Sequence, residues 1–466
     1  MPSRQDQLHS YQFAVQRVVA ALVMRETDPA QSPFRRAAGA TLASVLVALI
    51  TLGAVAVYGV LVGGGSQRWR TAKVVLVEAD SGTRFVFQDG KLHPVLNFAS
   101  GALIVGNATK PTRVSRKSIR GVPRGSTLGI ANAPDTLPDR RSMLGHPWTV
   151  CSAAVPGGGS GPQSTLMVGA DPAGGNPLGE RGVLVRDTRG GAHLVWQQRR
   201  HLIRDEGRVL RALGWAGQAP TRVATALLNS LPAGADLGLI RITGRGEAFR
   251  HLPKIRVGEV IVVKGQTGGD QFVVALRNGL APITAVQVAL LLNDPETVER
   301  VGQRAATPLL PGDIIDVPQL ADLVPDEGAP PATTPTLAPA DTGALCAVAR
   351  DDAGVAEVRV GARVPDVADA SRTPTSTPDG AVLADYILVP PGRGALVEAV
   401  PAAGVQGGTM SLVTDLGRRY AVPTADVLAS IGLAAVKPAR LPANVVALLP
   451  GGPALDPQAA RAVAQS

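Results

Sequence analysis

Two cysteines are the residues of this 466-residue chain whose type and setting point most directly to chemistry. Cys151 and Cys346 lie inside apolar segments, residues 148–151 and 344–348, which predicts that both sit on β-strands. They are either two buried free thiols or one disulfide. Outside the cytoplasm pairing is favoured, and a bridge closing so long a loop contributes about 5 kcal/mol by the chain-entropy estimate. A redox role is not indicated, because the sequence has no C-x-x-C pair.

The other patterns for catalysis or metal binding are incomplete. Pro162 stands where the last Gly of a G-x-S-x-G nucleophile elbow is needed. The six histidines are scattered, without H-E-x-x-H spacing, so no metal site is predicted. The carboxylate pairs Asp205-Glu206 and Asp351-Asp352 are adjacent in sequence, which is typical of solvated surface. We therefore predict no catalytic, metal-binding or cofactor-binding residue.

A nucleotide site would need the P-loop pattern G-x-x-x-x-G-K-[ST] between a strand and a helix, because backbone amides and the lysine must converge on the phosphates. Gly90-Lys91 is followed by Leu92 and lies in a predicted hairpin turn, and Phe85 stands where the first Gly should be. The sequence therefore predicts a protein that is not an enzyme. An ATPase with a non-standard nucleotide site remains an alternative.

Residues 37–62 form the core of the long charge-free stretch between Arg36 and Arg68. A helix needs roughly 20 apolar residues to cross a bilayer, so we expect one transmembrane helix at 37–62. A cleaved signal peptide is the alternative, although its apolar region is usually only about 7–15 residues long. More arginines precede the stretch than basic residues follow it, which predicts a single-pass protein of the inner membrane with a cytoplasmic N-terminus and a large extracytoplasmic C-terminal part.

The cytoplasmic arm, residues 1–36, contains apolar residues at helical spacing: Leu8, Tyr11, Val15, Val18, Val19 and Leu22. This pattern predicts an amphipathic helix that docks on a partner or lies on the inner leaflet. In the membrane segment, Ala40, Ser44 and Ala48 form a row of small residues that lets a second helix approach closely.

Composition indicates a globular protein, with 45% hydrophobic and only 3% aromatic residues, and a formal charge of +9. One basic cluster comprises Lys110, Arg113, Arg116, Lys117, Arg120 and Arg124. Anionic lipid, wall polymer or an acidic protein are possible partners, and a solvated strand-and-loop surface is the alternative. Nucleic acid is not expected, because the cluster lacks interleaved aromatic residues.

The large region repeats itself. Residues 209–237 match residues 427–455 without a gap, at a constant offset of 218. A looser match joins residues 85–103 to residues 272–291, each with a strand, a Gly turn and a helix, and residues 193–196 and 419–422 open the other two units. We therefore predict four β-α repeats. Apolar strands at 182–185 and 395–400 suggest a separate sheet, and the runs 156–161, 325–342 and 373–378 read as exposed loops.

The expected fold is thus α+β: an N-terminal amphipathic helix, one transmembrane helix, and four β-α repeats flanking a central β-sheet domain. Its segments are the arm (1–36), the membrane helix (37–62), the linker with repeat 1 (63–140), the first part of the central domain (141–190), repeat 2 (191–240), repeat 3 (241–330), the second part of the central domain (331–415), and repeat 4 with the C-terminal tail (416–466).

The sequence resembles the EccB family of the actinobacterial type VII (ESX) secretion membrane complex. The resemblance spans essentially the whole chain and rests on residues 10–17 followed by Asp28-Pro29, on residues 92–97 and 129–134, on the two separated cysteines and above all on residues 449–457. It implies a disulfide between Cys151 and Cys346. It also implies a structural subunit that works beside the EccC motor ATPase, EccD, EccE and a mycosin protease. Copies of this subunit are expected to contact one another and membrane lipid.

Three function classes follow. The leading one is a scaffold whose extracytoplasmic domain forms the outer-facing part of a protein-export channel. The second is the ATPase named above. The third is a cell-wall (peptidoglycan) binding module, which the scarcity of sugar-stacking aromatic residues disfavours.

Overall fold

The structure is a computed structural model that describes residues 3–24, 33–63, 68–107, 110–155, 161–265, 269–323, 328–339, 343–367, 370 and 372–464. The Asp28-Pro29 pair and most of the expected loop at 156–161 lie outside these residues. The chain divides into two compact units, Met1–Leu92 with Pro111–Arg124, and His93–Lys110 with Gly125–Ser466. Helices and strands are mixed, so the expected α+β class is confirmed.

The first unit contains two long helices and a small sheet. Its helices are α1 (Arg4–Met24), α2 (Pro33–Gly63) and the short α4 (Arg116–Ile119), with a 3-10 turn at Arg68–Arg70. The sheet is built from β1 (Leu76–Glu78), β2 (Arg84–Gln88), β3 (Lys91–Pro94) and β4 (Thr112–Val114), in the order β3-β2-β1-β4. The boundary between the units falls within β3. Trp69, Leu76, Phe85, Leu92 and Ile119 are among the buried residues of its core.

The second unit contains three more four-stranded sheets of the same strand order. Their strands are β8 (Val183–Arg186), β9 (Ala192–Trp196), β10 (Arg199–Leu202) and β11 (Thr221–Arg222); β12 (Val260–Val263), β13 (Gln271–Leu276), β14 (Gly279–Pro282) and β15 (Thr307–Leu309); and β19 (Gly394–Val400), β20 (Thr409–Thr414), β21 (Arg419–Ala421) and β22 (Ala439–Pro442). In each, three strands run antiparallel, and a fourth returns parallel to the first. The return connection carries a helix, as parallel pairing requires.

The helices of the second unit are short. They are α3 (Phe98–Val105), α5 (Glu206–Ala212), α6 (Thr225–Ser230), α7 (Ala285–Leu292), α8 (Pro295–Arg300), α9 (Ala425–Ser430), α10 (Ala443–Val446) and α11 (Pro457–Arg461), with 3-10 turns at Arg140–Ser142 and Pro311–Ile314. Their ends follow local sequence. Asn97 caps α3 by accepting a hydrogen bond from the Ser100 amide, and Thr284 with Gln287 forms a capping box on α7.

The predicted offset of 218 residues is visible in these elements. β11 and β22 begin 218 residues apart, and so do α6 and α10. Gly214 and Gly432 follow α5 and α9 with φ angles of 74° and 78°, a left-handed backbone that favours glycine at a helix end.

A six-stranded sheet lies at the centre of the second unit. It comprises β5 (Trp148–Ala154), β6 (Pro162–Val168), β7 (Ala173–Pro177), β16 (Ala344–Asp351), β17 (Gly354–Arg363) and β18 (Tyr386–Leu388), in the order β18-β6-β5-β16-β17-β7. Its main apolar cluster includes Val183 on β8 and Leu227 on α6, and it also includes Val397 on β19 and Leu441 on β22. Two of the smaller sheets therefore share one core with the central sheet.

Two strand assignments made from the sequence are wrong. Residues 182–185 and 395–400 were expected in the central sheet, but β8 pairs with β9 and β11, and β19 pairs with β20 and β22. Residues 193–196 and 419–422 consequently lie on second and third strands and do not open their units. Apolar alternation reports that a strand is buried, and these strands are buried, but it does not report which strand lies beside it. The expected boundaries at 190/191 and 415/416 therefore fall inside sheets.

The Pro/Thr-rich run at 325–342 was also expected to be an exposed loop. Within its described residues, 328–339, Pro330, Pro331 and Pro335 are buried, and Leu337 forms a parallel bridge with Gly182. The expectation is wrong for these prolines, because proline, which lacks an N–H, is easily buried beside a sheet edge. It is right for Thr333, Thr334 and Thr336, which are exposed. The run at 373–378 is exposed or half-buried, as expected.

A ring lies against a glycine beside the third strand of three sheets. The glycine belongs to a Pro-x-Gly segment later in the chain that hydrogen-bonds to this third strand. The ring occupies the space that a side chain on the glycine would need, since an added Cβ would lie 2.2 to 2.3 Å from the nearest ring atom. The pairs are His93 with Gly125, His201 with Gly234 and Tyr420 with Gly452. In the remaining sheet, Ala281 takes the place of the ring on the third strand and Leu320 takes the place of the glycine, beside the Leu280–Gln319 bridge. The small residue is here on the strand and the large one on the segment that bonds to it.

Gly452→Ala tests this contact. The added methyl would lie 2.3 Å from Tyr420, a side chain only 2% exposed, so the ring has no free direction in which to move. We expect a loss of about 2 kcal/mol in the free energy of unfolding, the usual cost of overpacking a core. Urea-induced unfolding of the full chain measures it.

Gly451→Ala is the matched control. A Cβ at Gly451 meets nothing within 4 Å, so stability should stay within about 1 kcal/mol of the wild type. Equal losses in the two variants would contradict the role given to the ring.

Candidate functional site

The two cysteines face each other across the middle of the central sheet. Cys151 on β5 and Cys346 on β16 are direct cross-strand partners, with sulfur atoms 2.06 Å apart in a disulfide. Both side chains are fully buried. The bridge joins residues 195 positions apart in sequence, so it ties together the two segments that form the central sheet.

The adjacent carboxylates are engaged in ion pairs or turns. Glu206 accepts two hydrogen bonds from Arg186, at 2.5 and 3.0 Å. Asp352 accepts one from Arg440 and one from the Gly404 amide, and these bonds lower the pKa of its carboxyl. Asp351 accepts from the backbone of the next turn. Glu206, Asp351 and Asp352 therefore each hold local structure together.

His193 and His201, on β9 and β10, are buried and contact neighbouring residues of the fold. Burial lowers the pKa of His193 and His201, although Asp187 beside His193 acts in the opposite direction. His201 Nδ1 lies 2.8 Å from the Ala235 carbonyl, and the ring packs on Gly234. Among the residues that the structure describes, no group of three or more His, Cys, Asp or Glu side chains is placed to hold a metal ion.

Gly90 and Lys91 lie in the tight turn between β2 and β3. Gly90 has φ of 74°, and Lys91 is the first residue of the next strand. A P-loop instead leads from a strand into the N-terminus of a helix, where amides point at the phosphate. The hairpin does not offer that arrangement.

One described helix, α2, is long and apolar enough to cross a membrane, over Ala38–Tyr58. Ala40, Ser44 and Ala48 are exposed on it, and the Ser44 hydroxyl donates to the Thr41 carbonyl within the helix. The row of small residues therefore presents no unsatisfied hydroxyl to a neighbour. In α1, Leu8, Tyr11, Val15, Val18 and Leu22 are exposed, whereas Val19 is half-buried.

The predicted basic cluster lies mainly on β4 and α4. Arg113, Lys117 and Arg120 are exposed, and Arg124 lies 4.4 Å from the centre of the Phe85 ring. The expected strand-and-loop surface is thus where most of these charges are found.

A cavity of about 280 Å³ lies between the central sheet and the second four-stranded sheet. Val183, Val223, Leu345 and Val360 are among its lining residues, and its polar lining includes Ser152. The Ser152 hydroxyl accepts a hydrogen bond from the Ala224 amide at 2.8 Å. This hydroxyl links β5 to the N-terminus of α6, and the lining residues include no His, Asp or Glu that could act as its base.

Sequence reasoning missed a buried ionic contact in the third sheet region. Arg245 donates to Asp294 and to the Ile240 carbonyl, and it lies 3.1 Å from the Thr297 hydroxyl. The Arg245 and Asp294 side chains are only 2% and 6% exposed. Nothing in the spacing of two residues 49 positions apart signals this contact. It fixes the segment 240–258, which precedes β12, onto the N-terminus of α8.

The comparisons of this chain with family models, known sequences and solved structures agree on one family. Residues 1–466 match the family model described as type VII secretion system ESX-1, transport TM domain B (EccB). The chain is 30% identical to the ESX-3 secretion system ATPase EccB3 of Mycolicibacterium smegmatis, over 97% of this chain and 88% of the relative. Among solved structures it resembles the EccB3 dimer from the ESX-3 core complex, with a TM-score of 0.62 and 28% identity over 84% of this chain and 100% of the other. It shares the fold of a chain of the intact ESX-5 inner membrane complex, with a TM-score of 0.64 and 24% identity over 100% and 96%.

Proposed function

Because the chain belongs to the EccB family of type VII secretion components, we propose that it is a structural subunit of an ESX inner membrane complex. Its extracytoplasmic domain would form the outer-facing part of the export channel. The observation that carries this proposal is the family match over residues 1–466.

We further propose that the four small sheets are four β-α repeats arranged around the central domain. Their common strand order and the offset of 218 residues support it. Apolar clusters support a pairwise arrangement within the second unit: Tyr420 and Val427 share a core with Ala99 and Leu103, whereas Val209 and Leu210 share one with Val286 and Leu290. Helix α3 would then pack against the fourth repeat, and the second repeat against the third.

The proposed topology is single-pass, with α1 in the cytoplasm and the sheets outside. The charge bias of the residues flanking α2 supports this orientation. We propose that α1 docks on a cytoplasmic partner through its exposed apolar side chains and that the outer domain associates with further copies of itself. Other partners are the EccC motor ATPase, EccD, EccE and the mycosin protease that the family resemblance implies.

Native purification from membranes through a C-terminal tag tests the proposal. We expect the chain to elute in a large complex together with the other membrane subunits. The matched control is the same tag on residues 1–67, which keeps α1 and α2 but lacks all the sheets and should elute without the outer assembly. Elution of the full chain alone, under conditions that keep other membrane complexes intact, would contradict a structural subunit.

The ESX-3 relative from Mycolicibacterium smegmatis is named an ATPase. We propose that this chain acts without hydrolysing nucleotide, because its nearest P-loop-like residues form a hairpin turn. Turnover by the purified chain, above background and abolished by a substitution in the chain itself, would overturn this proposal. Cell-wall binding is the second alternative, and retention of the full chain on isolated peptidoglycan would favour it.

A further inference from the structure

Formal charge is distributed very unevenly along this chain, which carries +9 in total. Apart from its two long helices, the first compact unit comprises residues 68–92 and 111–124, here called the membrane-proximal sheet. It holds ten Lys or Arg and three acidic residues, a formal charge of +7. The second unit holds 31 basic and 31 acidic residues. The excess positive charge outside the N-terminal arm is therefore concentrated in the small sheet that follows α2.

These cations face solvent. The exposed ones are Arg68, Arg70, Lys73, Lys91, Arg113, Arg116, Lys117, Arg120 and Arg124. Arg116 is used locally, since it lies 3.0 Å from the Glu78 carboxylate, and hydrogen bonds from Ser81 and Arg116 lower the pKa of that carboxyl. Lys73, Lys91, Arg113, Lys117 and Arg120 form no ion pair with the residues that the structure describes. At least five of the ten cations are thus available to a partner.

The framework that carries the cations is packed. Trp69 is 3% exposed, and its indole N–H donates to the Ser118 hydroxyl at 2.9 Å, which ties the start of the sheet to α4. Arg70 and Arg124 lie 5.5 and 4.4 Å from the ring centres of Trp69 and Phe85. The positive surface is therefore held in place by the fold and is not a charged tail.

Chain connectivity keeps this surface near the end of α2. Helix α2 ends at Gly63, and four residues separate it from Arg68. Since an extended chain spans at most about 3.5 Å per residue, Arg68 lies within about 18 Å of the helix end. At physiological salt, charges interact over about 8 Å, and a tether of this length lets the sheet come within that distance of charged head groups.

We propose that the membrane-proximal sheet docks electrostatically on anionic phospholipid head groups of the leaflet in which α2 ends. The proposal rests on the membrane crossing proposed above. None of the large hydrophobic side chains that are exposed in the described residues lies in 68–92 or 111–124. A protein partner usually requires an apolar centre to its interface, whereas an anionic lipid surface attracts a basic segment through charge alone.

Hydrogen–deuterium exchange of the full chain in lipid nanodiscs tests the proposal. One set of discs contains phosphatidylcholine alone, and the other replaces one third of it with phosphatidylglycerol. We expect amides of 68–92 and 111–124 to exchange about threefold more slowly in the anionic discs, and the difference to disappear at high salt. The variant R113Q/K117Q/R120Q should lose this protection.

The matched control is R189Q/R241Q/K254Q, which removes three exposed cations from the second unit and should keep the protection. Equal exchange in both lipids, equal protection in both, or loss of protection in the control would overturn the proposal. If the test variant unfolds, β1 and β2 will exchange faster in neutral discs as well, and the salt dependence of the wild type then decides. Failure of α2 to enter discs would overturn the crossing itself, whereas insertion without protection overturns only lipid docking.

Discussion

Replacing both cysteines with alanine should lower the free energy of unfolding by about 5 kcal/mol, because the bridge closes a loop of almost two hundred residues. The effect acts through the unfolded state, which gains conformational entropy and becomes more stable when the cross-link is lost. Cys151 and Cys346 are fully buried in the centre of the sheet, and alanine keeps these positions small and apolar. Urea-induced unfolding of the full chain in detergent, followed by tryptophan fluorescence, gives the difference.

Reductant supplies the control for this prediction. The unfolding midpoint of the wild type should fall toward that of C151A/C346A once the disulfide is reduced in the unfolded state, while the double variant should not respond. A variant within about 1 kcal/mol of the oxidised wild type would contradict the assignment of the bridge as the main cross-link of the central sheet.

Local patterns predicted much of this fold correctly. The long apolar segment predicted α2, the apolar surroundings of the cysteines predicted β5 and β16, and the self-match at an offset of 218 predicted the short helices α6 and α10. The strands β11 and β22 were not predicted. The features that were predicted depend on residues near one another in sequence. Each is set by helix or strand periodicity and by the turn residues at its ends.

Pairing between distant segments was the part that the sequence did not reveal. β19 lies beside β22, about forty residues later, because the chain returns in parallel through a helix. Nothing in the residues of β19 distinguishes that neighbour from a strand of the central sheet, since both environments bury apolar side chains on two faces. The ring contacts of Gly234 and Gly452 were missed for the same reason, because a glycine in the sequence does not indicate which side chain packs against it.

The buried pair of Arg245 and Asp294 leads to the second large effect. Asp294→Ala should lower the free energy of unfolding of its region by about 3–5 kcal/mol, since it leaves the buried Arg245 guanidinium with only the largely exposed Glu296 carboxylate, 3.8 Å away, as counter-charge. Asp294 also accepts a hydrogen bond from the Glu296 amide at the start of α8, so the helix loses its cap as well. Thermal unfolding, together with protease cleavage within 240–258, measures the loss.

Glu296→Ala is the matched control, because Glu296 lies 3.8 Å from the same guanidinium but is 64% exposed. At 3.8 Å, and with its carboxylate in solvent, Glu296 contributes less than about 1 kcal/mol, so this variant should resemble the wild type. The double variant R245M/D294L removes both charges and should recover most of the stability, since apolar residues of similar volume replace buried ion pairs with little loss. If D294A and E296A were equally mild, the contact would not be what holds segment 240–258 on α8. If the double variant were as unstable as D294A, the loss would come from packing and from the helix cap, not from the buried charge.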